Sequence, residues 1–241
     1  MNVGCADPTQ RERKRHSRTF TFIMVLTPLG DQAILARFDN ENDALLFAAA
    51  VRVADLPGVI DVVPAYVSVA VFYDLERVSY AELALQLEHF RNGAKRRPSL
   101  AGNRFEIPCC YEFGPDLARV AEQTGLSVND VVRMHSGAEY TVYAVGFCPG
   151  FPYLGYLPEA LCGVPRLPTP RLRVEPGMVG ITGRQTGIYP LERPGGWHLI
   201  GRTPLELVTV ADSYFPLRPG DQVRFTPINA AEFAPLQGKR L

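Results

Sequence analysis

No lysine occurs between Lys95 and Lys239 in this 241-residue sequence, so residues 96–238 carry their fixed positive charge on arginine alone. An anion bound there is held by guanidinium forks or backbone N–H groups, not by an ammonium point charge. The same stretch concentrates large rings. Residues 146–158, GFCPGFPYLGYLP, hold three glycines, three prolines and four aromatics. That proline content predicts neither a helix nor a central strand. The segment therefore reads as a tight loop whose Phe147, Phe151, Tyr153 and Tyr156 divide between core and an exposed rim. Residues 146–204 hold 11 of the 21 glycines and 10 of the 21 prolines. Loops constrained in this way lose little entropy on ordering and let a ligand approach the backbone closely.

Other chemistry is sparse. Histidines stand at 16, 89, 135 and 198, with no spacing that suits a metal. His135 falls at the end of a predicted helix, where its positive form would meet the helix C-terminus favourably; a ligand-contact role is the other reading. Between Tyr140 and Leu191 the only carboxylates are Glu159 and Glu175, which could barely supply a Mg²⁺ site. GITGRQTG at 180–187 lacks the lysine and the spacing of a phosphate-binding Walker loop. Cys148 lies in the ring-rich loop, where packing is the simpler role than nucleophile.

Regular elements must position these groups. Residues 22–38 predict two strands turning at Pro28–Asp31, and 41–55 a helix apolar almost all round. Strands at 59–63 and 67–73 follow, and Ser79 with Glu82 forms a capping box that opens a second helix. The order ββαββα predicts a small α+β domain with its helices on one side of a sheet. RNGAKRRPSLAGN at 91–103 reads as a linker. Beyond it come a strand at 104–111, a short helix at 115–123 and a helix capped by Ser127 with a Leu126–Val131 staple. Short strands are predicted at 140–147, 178–182, 197–201, 205–210 and 222–226, the spacing of a barrel or sandwich.

Bulk properties narrow the class. Lys+Arg and Asp+Glu are both 25, which argues against a nucleic-acid partner. Nothing approaches the roughly 18 apolar residues that span a bilayer. The five cysteines are odd in number and form no CxxC pair, which points to a reducing, cytoplasmic compartment. RERKRHSR at 11–18 followed by TFTFIMVL faintly mimics a signal peptide, but lacks a convincing cleavage site. A disordered leader over 1–21 is the simpler expectation, with Met24 an alternative start. The expected organisation is then a leader at 1–21, an N-terminal α+β domain at 22–97 and a β-barrel domain at 98–241.

The ordered motifs GFCPGFPYLGYL (146–157), PRLPTPR (165–171), QTGIYPL (185–191), PGGWHLIGRTP (194–204) and PGDQVRF (219–225) together resemble the B subunit of bacterial 5-oxoprolinase. That family is also called KipI or allophanate hydrolase subunit 1. PLGDQAIL (28–35) and VVPAYVSVAVFYD (62–74) are similar to its N-terminal signature. The resemblance implies an α+β domain followed by a cyclophilin-like β-barrel. It implies the C subunit of 5-oxoprolinase as direct partner, an A subunit besides, and ATP with Mg²⁺ whose ligands come from the partner, acting together to open 5-oxoproline to glutamate. The sequence departs from the family at 174–181, VEPGMVGI, where Met178 replaces a small hydroxyl residue and Glu175-Pro176 shifts the proline.

On that reading Phe151, Tyr153, Tyr189 and Trp197 form an aromatic wall. Arg171 and Arg202 hold carboxylate or phosphate, and Gln185 and His135 are the polar, catalytic contacts. No residue is expected to hold a metal. Two alternatives stay open. One is a non-enzymatic binding protein that inhibits a sensor histidine kinase. The other is a carboxyltransferase-type component working on urea-like amides, although no lysine stands nearby to carry biotin.

Overall fold

A computed structural model describes residues 23–91 and 102–241. The expected leader and most of the expected linker lie outside them. The chain opens with β1 (Met24–Pro28), β2 (Ala33–Phe38), helix α1 (Glu41–Ala54), β3 (Val59–Ala65), β4 (Ser68–Tyr73) and helix α2 (Tyr80–Arg91). This is the expected ββαββα order. The four strands pair antiparallel in the order β1-β2-β4-β3. Alternation puts Ile34, Ala36 and Phe38 with Val69, Val71 and Tyr73 on one face, and Leu46, Phe47, Leu83 and Leu87 of the helices cover it. Both helices start on short side-chain bonds. Asn40 accepts from the Asp43 N–H at 2.9 Å, and the Ser79–Glu82 box closes with bonds of 2.9 and 3.3 Å.

The second half comprises β5 (Arg104–Cys110), α3 (Leu117–Thr124), α4 (Val128–Gly137), β6 (Glu139–Val145), β7 (Pro152–Gly155), β8 (Arg171–Val174), β9 (Met178–Thr182), β10 (Gln185–Ile188), β11 (Arg193–Gly195), β12 (His198–Arg202), β13 (Gln222–Ile228) and the short α5 (Ala230–Phe233). Seven of the strands close a barrel in the order β10-β7-β6-β13-β5-β12-β9, while β8 and β11 form a separate ribbon. All barrel pairs are antiparallel except β5 with β13, which run parallel from Arg104–Gln222 to Cys110–Ile228. Ile107, Val142, Leu154, Val179, Ile181, Ile188, Ile200 and Val223 fill the interior. Val131 packs there and Leu126 against it, the two ends of the expected staple. The chain is thus α+β with a closed seven-stranded barrel.

Two sequence expectations need correction. The ring-rich loop does contain a barrel strand, β7, with Pro152 as its first residue, a position where the missing N–H breaks no ladder. Residues 205–210 form no strand. They make only single bridges, Glu206 to Arg240 and Thr209 to Tyr214, and Leu207 and Val208 pack into the barrel's core cluster without extending a wall.

The sheet and the barrel meet through tyrosines. Tyr66, at the β3–β4 turn with φ of 54°, gives its N–H to the Tyr143 carbonyl at 3.3 Å. The rings of Tyr66, Tyr143 and Tyr156 lie 5.5–6.1 Å apart by centroid. The Tyr156 hydroxyl donates to Glu41 at the start of α1, and Arg184 sits 4.3 Å over its ring.

Candidate functional site

The chain turns sharply after β6. Gly146 N–H bonds the Phe151 carbonyl at 3.1 Å, and Phe151 N–H the Cys148 carbonyl at 3.1 Å. Gly150 makes this possible, because its φ is 74° and a Cβ would overlap Val208. The turn drives Phe151 inward, where it is 1% exposed, and leaves Phe147 58% exposed above it. Phe151 is the hub of the aromatic wall. Its ring meets Tyr153, Tyr189 and Trp197 at centroid distances of 4.9, 5.2 and 5.5 Å, all edge-on. All four expected aromatics therefore come together, as floor and sides of one small cleft. Phe147, Arg166, Pro194, Gly195 and Gly196 complete it, around a volume of about 80 Å³.

Beneath this floor lie Cys148, Val174, Met178 and Leu199. Met178, the departure from the family pattern, packs its thioether under the rings and does not line the cleft. Burial pushes the Cys148 thiol upward against a weaker opposing pull from Arg193, so it is no activated thiolate. Burial likewise raises the phenols of Tyr153 and Tyr189, and Arg166 pulls both back.

The other expected site residues lie elsewhere. Arg171 donates to Asp116 at 2.7 Å, and the second Asp116 oxygen accepts the Leu199 N–H at 2.7 Å. Asp116, which sequence reasoning missed, thus ties α3 to β8 and β12. Its one signal was a carboxylate placed just ahead of an amphipathic helix. Arg202 lines a second cleft of about 450 Å³ with Pro176, Leu191, Glu206, Phe233 and Gln237, and its Nε donates to the Pro176 carbonyl at 3.1 Å. Gln185 faces the buried Tyr66 hydroxyl, at the junction of sheet and barrel.

His135 is 0% exposed inside the barrel. Its Nδ1 lies 2.7 Å from the Tyr111 hydroxyl and its Nε2 2.9 Å from that of Thr186. Thr186 spends its own proton on the Gly180 carbonyl, so Nε2–H must donate to Thr186 and Nδ1 must accept from Tyr111. The ring is neutral, and burial depresses its pKa to about 3. The expected charged helix end is therefore corrected: His135 carries no proton for the helix terminus, and its polar atoms are saturated within the core. The missed residue in the cleft is Arg166, which shares the PRLPTPR motif with Arg171.

No three His, Cys, Asp or Glu side chains among the described residues come together as a metal site. The aromatic cleft is also too small for a nucleoside triphosphate. No helix among them is long and apolar enough to cross a membrane.

Residues 24–215 match the family described as carboxyltransferase domain, subdomain C and D. The chain is 46% identical over 188 residues to the 5-oxoprolinase B subunit of Escherichia coli, covering 76% of this chain and 84% of that one. It is 38% identical over 225 residues to the 5-oxoprolinase B subunit of Bacillus subtilis, covering 85% and 93%. The crystal structure of TTHA0988 superposes with a TM-score of 0.72 at 38% identity, over 83% of this chain but only 40% of that longer one.

Proposed function

The chain belongs to the family of 5-oxoprolinase B subunits, built on carboxyltransferase subdomains C and D, and from that premise we propose that it is one component of an ATP-dependent enzyme opening 5-oxo-L-proline to L-glutamate. The near full-length match to relatives of that name carries the reading. The net reaction consumes 5-oxoproline, water and ATP and yields glutamate, ADP and phosphate. An unstrained lactam has a poorly electrophilic carbonyl and a poor amide leaving group. ATP supplies the phosphoryl group that makes the carbonyl attackable.

This chain's share is to bind and orient the lactam. The rings of Phe151, Tyr153, Tyr189 and Trp197 are held edge-on by the barrel, so they form a stiff, water-poor wall. The scarcity of carboxylates around it supports a metal-nucleotide site that the C subunit helps to build, with the A subunit completing ring opening. The chain alone is expected to turn over no ATP. The test is ADP and glutamate release on adding 5-oxo-L-proline to the purified chain mixed with both partner subunits. Turnover only in the full mixture is expected; a fully assembled complex with no 5-oxoproline-dependent turnover overturns the reading.

A further inference from the structure

Among the described residues Arg166 is the one charged group lining the aromatic cleft. Among the described residues it has no ion pair, hydrogen bond or ring contact, whereas Arg171 is occupied by Asp116. Its field nonetheless reaches the phenols of Tyr153 and Tyr189 on two sides of the cleft. The loop that presents it is stiff. Pro165, Pro168 and Pro170 flank it, and Leu167 N–H bonds the Gly196 carbonyl at 2.7 Å, fastening the loop to the cleft's far lip. That lip is held close by Gly195, where a Cβ would overlap the Tyr189 hydroxyl.

Charge and size then select the ligand. A box of rings alone attracts cations through the faces of its π-systems. A guanidinium at the mouth, with no carboxylate in the lining, reverses that preference. A volume of about 80 Å³ admits roughly six water-sized groups, the size of one small ring with a single substituent. We infer that this cleft binds a small cyclic monocarboxylate, its ring against Tyr153 and Trp197 and its carboxylate on Arg166. Arg166, not Arg171, is the anion-holding residue. The inference rests on the proposed function only in the choice of 5-oxo-L-proline as first probe.

The sequence supplies its own reporter, since Trp197 is the only tryptophan and lines the cleft. Its emission is titrated in the chain alone and in the complex with both partners. The probes are 5-oxo-L-proline, 2-pyrrolidinone (the same ring without the carboxylate) and benzoate, with Arg166→Gln and the remote Arg224→Gln as variants. Arg166 is exposed and unpaired, so its replacement leaves the fold intact.

Saturable binding of 5-oxoproline is expected, weakened about tenfold or more in Arg166→Gln, the loss that follows removal of a charged hydrogen bond. Arg224→Gln is expected to bind as the parent does. Pyrrolidinone is expected to bind parent and Arg166→Gln equally weakly. Equal carboxylate affinity in parent and Arg166→Gln overturns the inference, as does absence of carboxylate binding in both chain and complex. Arg166-dependent binding of benzoate in a complex that never turns over 5-oxoproline sinks the proposed substrate and leaves the carboxylate site standing.

Discussion

A buried neutral histidine makes the barrel sensitive to acid. His135 titrates near 6.5 in the unfolded chain and at about 3 when folded, so between those values the unfolded state binds the extra proton. Its contribution is fully present above pH 6.5 and is lost as pH falls toward 3, at about 1.4 kcal/mol per pH unit. Urea melts at pH 6.5 and pH 5 are expected to differ by about 2 kcal/mol more in the parent than in His135→Gln; equal differences contradict the assignment. Asp116 is the second decisive residue. Replacing it by Ala strips the partner from a half-buried guanidinium and leaves the Leu199 N–H unbonded. A loss of about 2–4 kcal/mol in urea melts is expected. The aromatic hub separates folding from binding. Phe151→Ala empties a core site and costs about 3–5 kcal/mol, while Tyr153→Ala, at a half-buried wall position, is expected to cost much less and to weaken ligand binding; similar thermal melts for the two contradict this. The sequence showed that rings and arginines gather here, but could not rank Arg166 above Arg171. Both sit in one proline-rich motif, and only the fold reveals that Asp116, 55 residues away from Arg171, already occupies the latter.

Elements were legible where their determinants are local. The caps of α1, α2 and α4 lie within three residues of one another, and the apolar alternation of β2 and β4 is continuous. β7, β8, β10 and β11 were not legible. They are only three or four residues long and rich in Gly, Pro or Arg, and long-range pairing, not intrinsic preference, makes them strands. β9, by contrast, was legible at 178–182. Every residue in it is buried, because Val179 and Ile181 face the barrel interior while Met178 faces the rings outside. The β11–β12 turn is the fragile point of the cleft. Gly195→Ala forces a methyl group against Tyr189 and is expected to cost about 1–3 kcal/mol by overpacking. A shift of Trp197 emission in the folded variant, measured beside its melting temperature, checks that the wall itself has moved.

At the scale of the whole molecule, the sheet and the barrel each have their own core. Their direct coupling includes Tyr66, Tyr143 and Tyr156 and the bond from Tyr156 to Glu41, beside a second meeting of α1 with the turn at Arg218–Asp221. Tyr156→Ala removes the hydroxyl donor, two ring contacts and the platform under Arg184. The parent is expected to unfold in one calorimetric transition and the variant in two, the halves melting apart; one unchanged transition in the variant contradicts this coupling. The one parallel seam in the barrel also governs the order in which the molecule can be made. β5 waits for β13, which ends at Ile228, before its edge is covered, whereas the β1–β4 sheet has all its strands by Tyr73. On the ribosome the sheet and its two helices can therefore form early, while the barrel stays open, with the row of backbone groups on β5 unpaired until synthesis has passed residue 228. A chain stalled before that point presents a sticky edge, which makes translation of the last strand the step at which a chaperone matters most.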